Sequence, residues 1–230
     1  MKLKISKNLK TFKNILGIMN KAGHETVLKM DDNGVTIITN KGNNAIGIFK
    51  FKKEFFDEYE GSGEYGILIS DITTPLKKMD GEITLSEIGA RLCIESGGDK
   101  YFMPIFNDTT VPDKLPTATF KYETTLTMLE FSNALDKVGP LKPSSVKLYV
   151  ADGMLKLKTS GLREMEVNIA KAEQTDEVLY ISYEYLILAT NKADDNITLN
   201  ITKDTPLVLK YEKDGALFEY WIAPRVDGEY

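Results

Sequence analysis

Residues 9–39 read LKTFKNILGIMNKAGHETVLKMDDNGVTIIT, and this stretch decides the fold because its pattern occurs twice. It can be laid without a gap over residues 128–158, MLEFSNALDKVGPLKPSSVKLYVADGMLKLK, which places Phe12 on Phe131. In both copies, apolar residues at helical spacing are followed by two strand-like segments joined at a turn, Asp-Asn-Gly at 32–34 and Ala-Asp-Gly at 151–153. Each copy therefore predicts a helix followed by a β-hairpin.

The repeat continues beyond this stretch. Ile-Thr-Leu at residues 83–85 recurs at 197–199, and each triplet begins another predicted hairpin. A second helical candidate precedes each triplet, at residues 71–79 in the first half and 183–192 in the second. Because both halves give the order helix, hairpin, helix, hairpin, duplication explains the pattern better than a chance match.

These elements predict an α+β protein made of two duplicated domains. Most remaining segments are short, alternate with period two and are rich in β-branched and aromatic residues, which is typical of antiparallel strands. Each domain is expected to place two helices on one side of its sheets. Residues 106–120, FNDTTVPDKLPTATF, lack periodicity and predict an extended connector between domains at 1–105 and 121–230.

The composition argues against several kinds of enzyme site. With 42% hydrophobic and 27% charged residues among 230, the chain has enough apolar material for a folded core. Cys93 and His24 are the only residues of their types, which leaves no thiolate or histidine metal set. Adjacent aspartates occur at 31–32 and 194–195, where turns favour them. We therefore expect no catalytic residues, no metal, no cofactor and no enzymatic activity.

No targeting or membrane segment is predicted. The longest apolar stretch, 178–190, is interrupted by Glu184 and is shorter than the roughly 20 residues that span a bilayer. The N-terminal residues alternate lysine with apolar side chains and lack the apolar run of a signal peptide. We expect an intracellular protein.

Positive charge is concentrated on the helical candidates, although the net charge is −5. Residues 9–21, 71–79, 127–138 and 183–192 carry seven lysines against four acidic residues, or +3, which leaves −8 for the rest. These lysines are Lys10, Lys13, Lys21, Lys77, Lys78, Lys137 and Lys192. They are either the solvated faces of amphipathic helices or a basic surface for a polyanion. Without an array of arginines that read bases, such a surface would contact phosphates independently of sequence.

The end of the chain resembles a known family. Residues 220–225, YWIAPR, are similar to the aromatic-aromatic-aliphatic-Ala-Pro-basic signature of the proliferating cell nuclear antigen (PCNA) family of DNA sliding clamps. Pro-Leu-Val at 206–208, Gly-Val at 34–35 and Leu-Pro at 115–116 resemble further family positions. The resemblance covers essentially the whole chain.

This resemblance implies a non-enzymatic ring, normally of three subunits, around a hole lined by the helices. Duplex DNA would pass through the hole, and the seven helix lysines would face it. Expected protein partners are a DNA polymerase, a clamp loader and other replication and repair proteins. The location would be the cytoplasm or nucleoid of an archaeon or a virus-infected host, or the nucleus of a eukaryote. The subunits would be identical or paralogous, joined through edge strands near 101–105 and 163–169.

The family also has a pocket in which short hydrophobic peptides dock. Carried over by position, its lining here would be Asn40, Asn44, Ala45, Ile46, Leu115, Pro116, Pro206, Trp221, Ile222, Ala223 and Pro224. The two asparagines make one side more polar than the family pattern, and Trp221 is bulkier than the usual tyrosine. Trp221 is otherwise explained as a core aromatic, and Leu115 as an anchor of the connector.

Two other functions are compatible with parts of the sequence. One is a phage-type or monomeric clamp-like processivity factor, which the mass in solution would distinguish from a ring. The more distant one is a β-rich protein that binds a small ligand in a closed barrel, which the duplication with paired helices disfavours.

Overall fold

The computed structural model describes residues 1–42, 44–112, 116–159, 163–190, 195–213 and 215–225. The chain divides into two compact units. Unit 1 comprises Met1–Leu115 and Glu212–Phe218, and unit 2 comprises Pro116–Tyr211 and Glu219–Tyr230. Each unit combines antiparallel sheets with two helices, so the predicted α+β class is confirmed.

Unit 1 contains two helices and two sheets. Its elements are β1 (Lys2–Ile5), α1 (Leu9–Ala22), β2 (Glu25–Asp31), β3 (Gly34–Lys41), β4 (Ala45–Lys52), β5 (Glu58–Glu60), β6 (Gly63–Leu68), α2 (Ile69–Leu76), β7 (Ile83–Ile88), β8 (Arg91–Ser96) and β9 (Asp99–Pro104). One sheet has the order β5-β1-β7-β8-β9, with Leu3 opposite Leu85. The other contains β4-β3-β2-β6, with β2 and β3 joined at the predicted Asp-Asn-Gly turn.

Unit 2 repeats this arrangement. Its elements are β10 (Tyr122–Thr127), α3 (Met128–Val138), β11 (Ser145–Ala151), β12 (Met154–Thr159), β13 (Glu166–Lys171), β14 (Val178–Ser182), α4 (Tyr183–Ala189), β15 (Asn196–Ile201), β16 (Leu207–Lys213) and β17 (Ala216–Ile222). The last two residues of β16 and the first three of β17 are counted in unit 1. The strand orders are β13-β12-β11-β14 and β10-β15-β16-β17. They match β4-β3-β2-β6 and β1-β7-β8-β9 of unit 1, so the predicted duplication is present in the topology.

The last strand begins in unit 1. Residues 216–218 lie next to β4, where the amide of Lys52 donates to the carbonyl of Gly215 at 3.5 Å. The ring of Phe218 packs 4.5 Å from that of Phe49, measured between centroids.

Helix α1 forms because its apolar residues share one face. Its buried residues are Leu9, Phe12, Ile15, Leu16, Met19 and Ala22. Phe12 contacts Phe51 and Phe55, with ring centroids 5.5 and 6.4 Å away. The helix stops before Gly23, where an added Cβ would lie 2.2 Å from Oγ1 of Thr39. Only glycine allows the chain to approach β3 this closely.

The other helices differ from the predictions at their ends. Helix α2 is Ile69–Leu76 rather than 71–79, because its buried stripe begins at Ile69 and the helix ends beside Pro75. Helix α3 starts at Met128, where Thr127 and Glu130 form a capping box. Helix α4 ends at Ala189, short of the predicted 192, because Thr190 is extended. No helix within the described residues is long and apolar enough to cross a membrane.

Candidate functional site

The lysine-bearing surface of unit 1 lies opposite the buried face of α1. Lys10 and Lys21 are exposed on α1, and Lys77 and Lys78 are exposed directly after α2. Helices α1 and α2 contact each other. Between them, Gly17 has open space where a side chain would begin. Two exposed cations therefore lie on α1 and two directly after α2, and no atom fills the space next to Gly17.

Lys13 differs from these four lysines. Its ammonium donates a hydrogen bond to the carbonyl of Met79 and lies 3.7 Å from the carboxylate of Asp80. Its side chain is only 25% exposed. Lys13 therefore ties the end of α2 to α1, and its charge is partly compensated by Asp80.

The corresponding surface of unit 2 carries less positive charge. Lys137 is exposed on α3, whereas Lys192 lies outside the described residues. The carboxylate of Glu130 accepts hydrogen bonds of 2.8 Å from the amide and the hydroxyl of Thr127. Glu130 therefore stabilises the start of α3, which explains why this face carries an acidic residue as well as a lysine.

The first part of the predicted docking set lies at the end of β3 and the start of β4 in unit 1. Asn44 is exposed, Ala45 is buried, and Ile46 is half-buried against Val27, Ile38 and Val111. The side-chain amide of Asn40 donates to the carbonyl of Thr110 at 3.0 Å. Its Oδ1 is buried without a hydrogen-bond partner among the described residues. Asn40 therefore ties the end of β3 to the segment around Thr110.

The connector is fastened to unit 1 by Glu25, which the sequence did not indicate. One carboxylate oxygen of Glu25 accepts from the amide and the hydroxyl of Thr110, at 2.6 and 2.7 Å. Val111 is buried next to this point. The amide of Thr110 holds the pKa of the Glu25 carboxyl below its ordinary value, and the hydroxyl adds to this effect. Glu25 and Thr110 are 85 residues apart, so no local pattern could reveal the pair.

We expect the hydrogen bonds between Glu25 and Thr110 to break in acid. Because the folded pKa of Glu25 is lowered, its contribution is complete above the ordinary pKa of 4.5 and is lost as the pH falls through the folded value. The Thr110 amide proton should therefore shift with a midpoint below 4.5 in an NMR titration. Glu25→Gln should abolish that shift, and Glu54→Gln, an exposed control, should not. A midpoint at or above the ordinary pKa of Glu25 would contradict these hydrogen bonds.

The second part of the predicted docking set lies in unit 2. Trp221 is 8% exposed, with its ring 5.9 Å from that of Phe120, and its indole donates to Glu219 at 3.4 Å. Ile222 is fully buried. The half-buried members of this set are Pro116, Pro206, Ala223 and Pro224, and Leu115 lies outside the described residues. Trp221 and Ile222 thus support the strand end, and the alanine and the prolines offer the accessible surface.

The described residues contain no arrangement suited to metal chemistry. No group of three or more His, Cys, Asp or Glu side chains is placed among them to hold a metal ion. Cys93 is buried, and that burial raises the pKa of its thiol. A buried thiol with a raised pKa is a poor nucleophile at neutral pH.

Comparison with known proteins identifies the fold. No family model matches the sequence, and no curated protein matches it significantly. A PCNA2–PCNA3 complex from Sulfolobus tokodaii gives a TM-score of 0.83 at 16% identity, covering 98% of this chain and 99% of that one. PCNA from Entamoeba histolytica gives 0.84 at 16% identity, covering 98% of both chains. A. fulgidus PCNA bound to the C-terminal region of FEN-1 gives a TM-score of 0.84 at 16% identity, covering 99% of both chains. The chain therefore has the two-domain PCNA-type clamp fold.

Proposed function

We propose that the protein is a DNA sliding clamp, which encircles duplex DNA as a ring and tethers replication and repair proteins. The observation that carries this proposal is the exposed lysine surface on α1 and α2, within a chain that has the clamp fold over its whole length. Mobile lysine side chains exchange phosphates readily and read no bases. The DNA would therefore be retained by closure of the ring, and the clamp would stay free to slide. This function requires no enzymatic activity.

Ring formation is supported by the duplicated topology. Among the described strands, β9 and β13 each end a sheet with an open edge. Pairing of β9 in one subunit with β13 in the next would use both edges, which otherwise favour aggregation. Repeating this head-to-tail contact closes a ring, and one solved neighbour is a complex of two different PCNA chains.

The proposed assembly is a trimer, made either of this chain alone or of this chain with paralogous subunits. Light scattering of the purified chain at micromolar concentration should give three times the 25.8 kDa of one subunit. Tyr101 and Phe102 are each 39% exposed on β9, and replacing both with glutamate should shift the mass to one subunit. Circular dichroism melting checks that the variant is folded. A wild-type mass of one subunit would contradict the homotrimer and leave a ring with paralogous subunits or a monomeric factor.

Partners would attach through short peptides with hydrophobic anchors. The supporting solved neighbour is a PCNA bound to the C-terminal region of FEN-1. In this chain, we assign peptide contacts to Asn40, Asn44 and Ile46 in unit 1 and to Pro206, Ala223 and Pro224 in unit 2. With this role, the protein would be located in the cell compartment that holds the DNA.

A further inference from the structure

A cavity of about 290 Å³ on unit 2 belongs to none of the predicted sites. Its charged lining consists of Lys147, Lys203, Arg225, Asp176 and Asp204, and Pro224 borders it. Pro224 is also one of the proposed peptide contacts, so the cavity and the proposed docking surface share this residue.

The backbone around the cavity is fixed. The amide of Arg225 donates to the carbonyl of Tyr180 at 2.8 Å, and Pro224 forms a bridge with Ile181. The amide of Lys203 donates to the carboxylate of Glu177 at 2.6 Å. These bonds hold the main chain of two walls while the lysine and arginine side chains remain available to a ligand.

The three cations of the cavity form no ion pair with a described acidic side chain. Lys147 lies directly opposite Lys158 in the strand register, an arrangement of like charges that is unfavourable. Lys158 is itself paired with Glu164 at 2.9 Å. The ammonium of Lys147 instead lies 4.7 Å from the ring centroid of Tyr149. An anion in the cavity would supply the missing counter-charge.

The charge balance selects the kind of anion. Three cations and two carboxylates give the lining a net charge of +1. A carboxylate carries one negative charge and can accept from both an ammonium and a guanidinium. A phosphate group would bring up to two negative charges close to Asp176 and Asp204.

We propose that this cavity receives the side-chain carboxylate of an Asp or Glu next to the hydrophobic anchors of a docked peptide. The inference rests on the proposed docking function and adds a preference to it. Peptides with an acidic residue at the matching position would bind more tightly than peptides without one, so the cavity would select among partners.

The test uses pairs of synthetic peptides with one leucine and two aromatic anchors. In each pair, one flanking position carries Glu in one peptide and Gln in its twin, and the position is moved along both flanks. We expect one position at which Glu binds the wild-type chain about fivefold more tightly, as measured by fluorescence anisotropy. Lys203→Glu and Arg225→Glu should each remove that preference, whereas Arg225→Lys should keep it. Lys142→Glu, the same charge change at an exposed residue of unit 2 outside the cavity, should also keep it.

The outcomes separate the two proposals. Equal binding of Glu and Gln twins at every position, with measurable affinity, would overturn the acidic preference and leave docking intact. A preference that persists in Lys203→Glu and Arg225→Glu would place the acidic contact elsewhere and overturn this cavity as its site. No binding of any peptide to the folded chain would overturn the docking function as well.

Discussion

Replacing Lys10, Lys21, Lys77 and Lys78 with glutamate should lower polymerase stimulation on a primed circular template at least about tenfold. All four side chains are exposed in unit 1, and none forms an ion pair with a described residue, so the substitutions change the charge without breaking such a pair. The surface would then repel the phosphates it is proposed to contact. Thermal unfolding should change little, because exposed lysines contribute little to stability. Product length on the template measures the effect.

Two adjacent lysine pairs provide a matched control for this experiment. Lys77→Glu/Lys78→Glu changes the charge beside α2, and Lys52→Glu/Lys53→Glu makes the same change elsewhere on unit 1, where it also removes the exposed ion pair of Lys52 with Glu212. We expect the first variant to shorten the products and the second to leave them nearly unchanged. Equal loss in both variants would show that net charge matters and that the α1–α2 surface does not.

Phe12→Ala should lower the free energy of unfolding by about 3–5 kcal/mol. Phe12 is 1% exposed and contacts the rings of Phe51 and Phe55, so its removal leaves a cavity in the core of unit 1. A loss of this size is a large part of the roughly 5–15 kcal/mol that stabilises a typical domain. Urea unfolding followed by circular dichroism measures it.

The repeat offers a second position with the same expectation. Phe131 occupies the equivalent place on α3 and is fully buried, so Phe131→Ala should cost a similar amount. Phe12→Leu, which keeps most of the volume, should cost about 1 kcal/mol. A loss below about 1 kcal/mol for both alanine variants would contradict their role as paired core anchors.

The sequence predicted those parts of the fold that depend on neighbouring residues. The helix and hairpin of residues 9–39 and their copy at 128–158 were correct, because their apolar periods and Gly turns are local signals. The expected edge strands also lie at sheet edges, as β9 and β13.

Features that depend on distant contacts could not be predicted in the same way. The hydrogen bonds between Glu25 and Thr110 join residues that are 85 positions apart. The residue pattern around Trp221 does not show which face of β17 packs against the rest of the unit. The Trp221 side chain is in fact buried next to Phe120. Lys13 is partly neutralised only because the turn after α2 brings Asp80 to it. The cationic cavity combines residues from four separate segments, which sequence reasoning missed.

The central claim is that DNA is held by encirclement, and a topological release experiment tests it most directly. The clamp would be loaded onto closed circular DNA, separated from free protein by gel filtration in moderate salt, and treated with an enzyme that cuts the circle once. A ring that surrounds DNA without gripping it should remain on the intact circle and be lost from the linear product through its ends. Equal retention on circular and linear DNA, or no retention on either, would contradict encirclement.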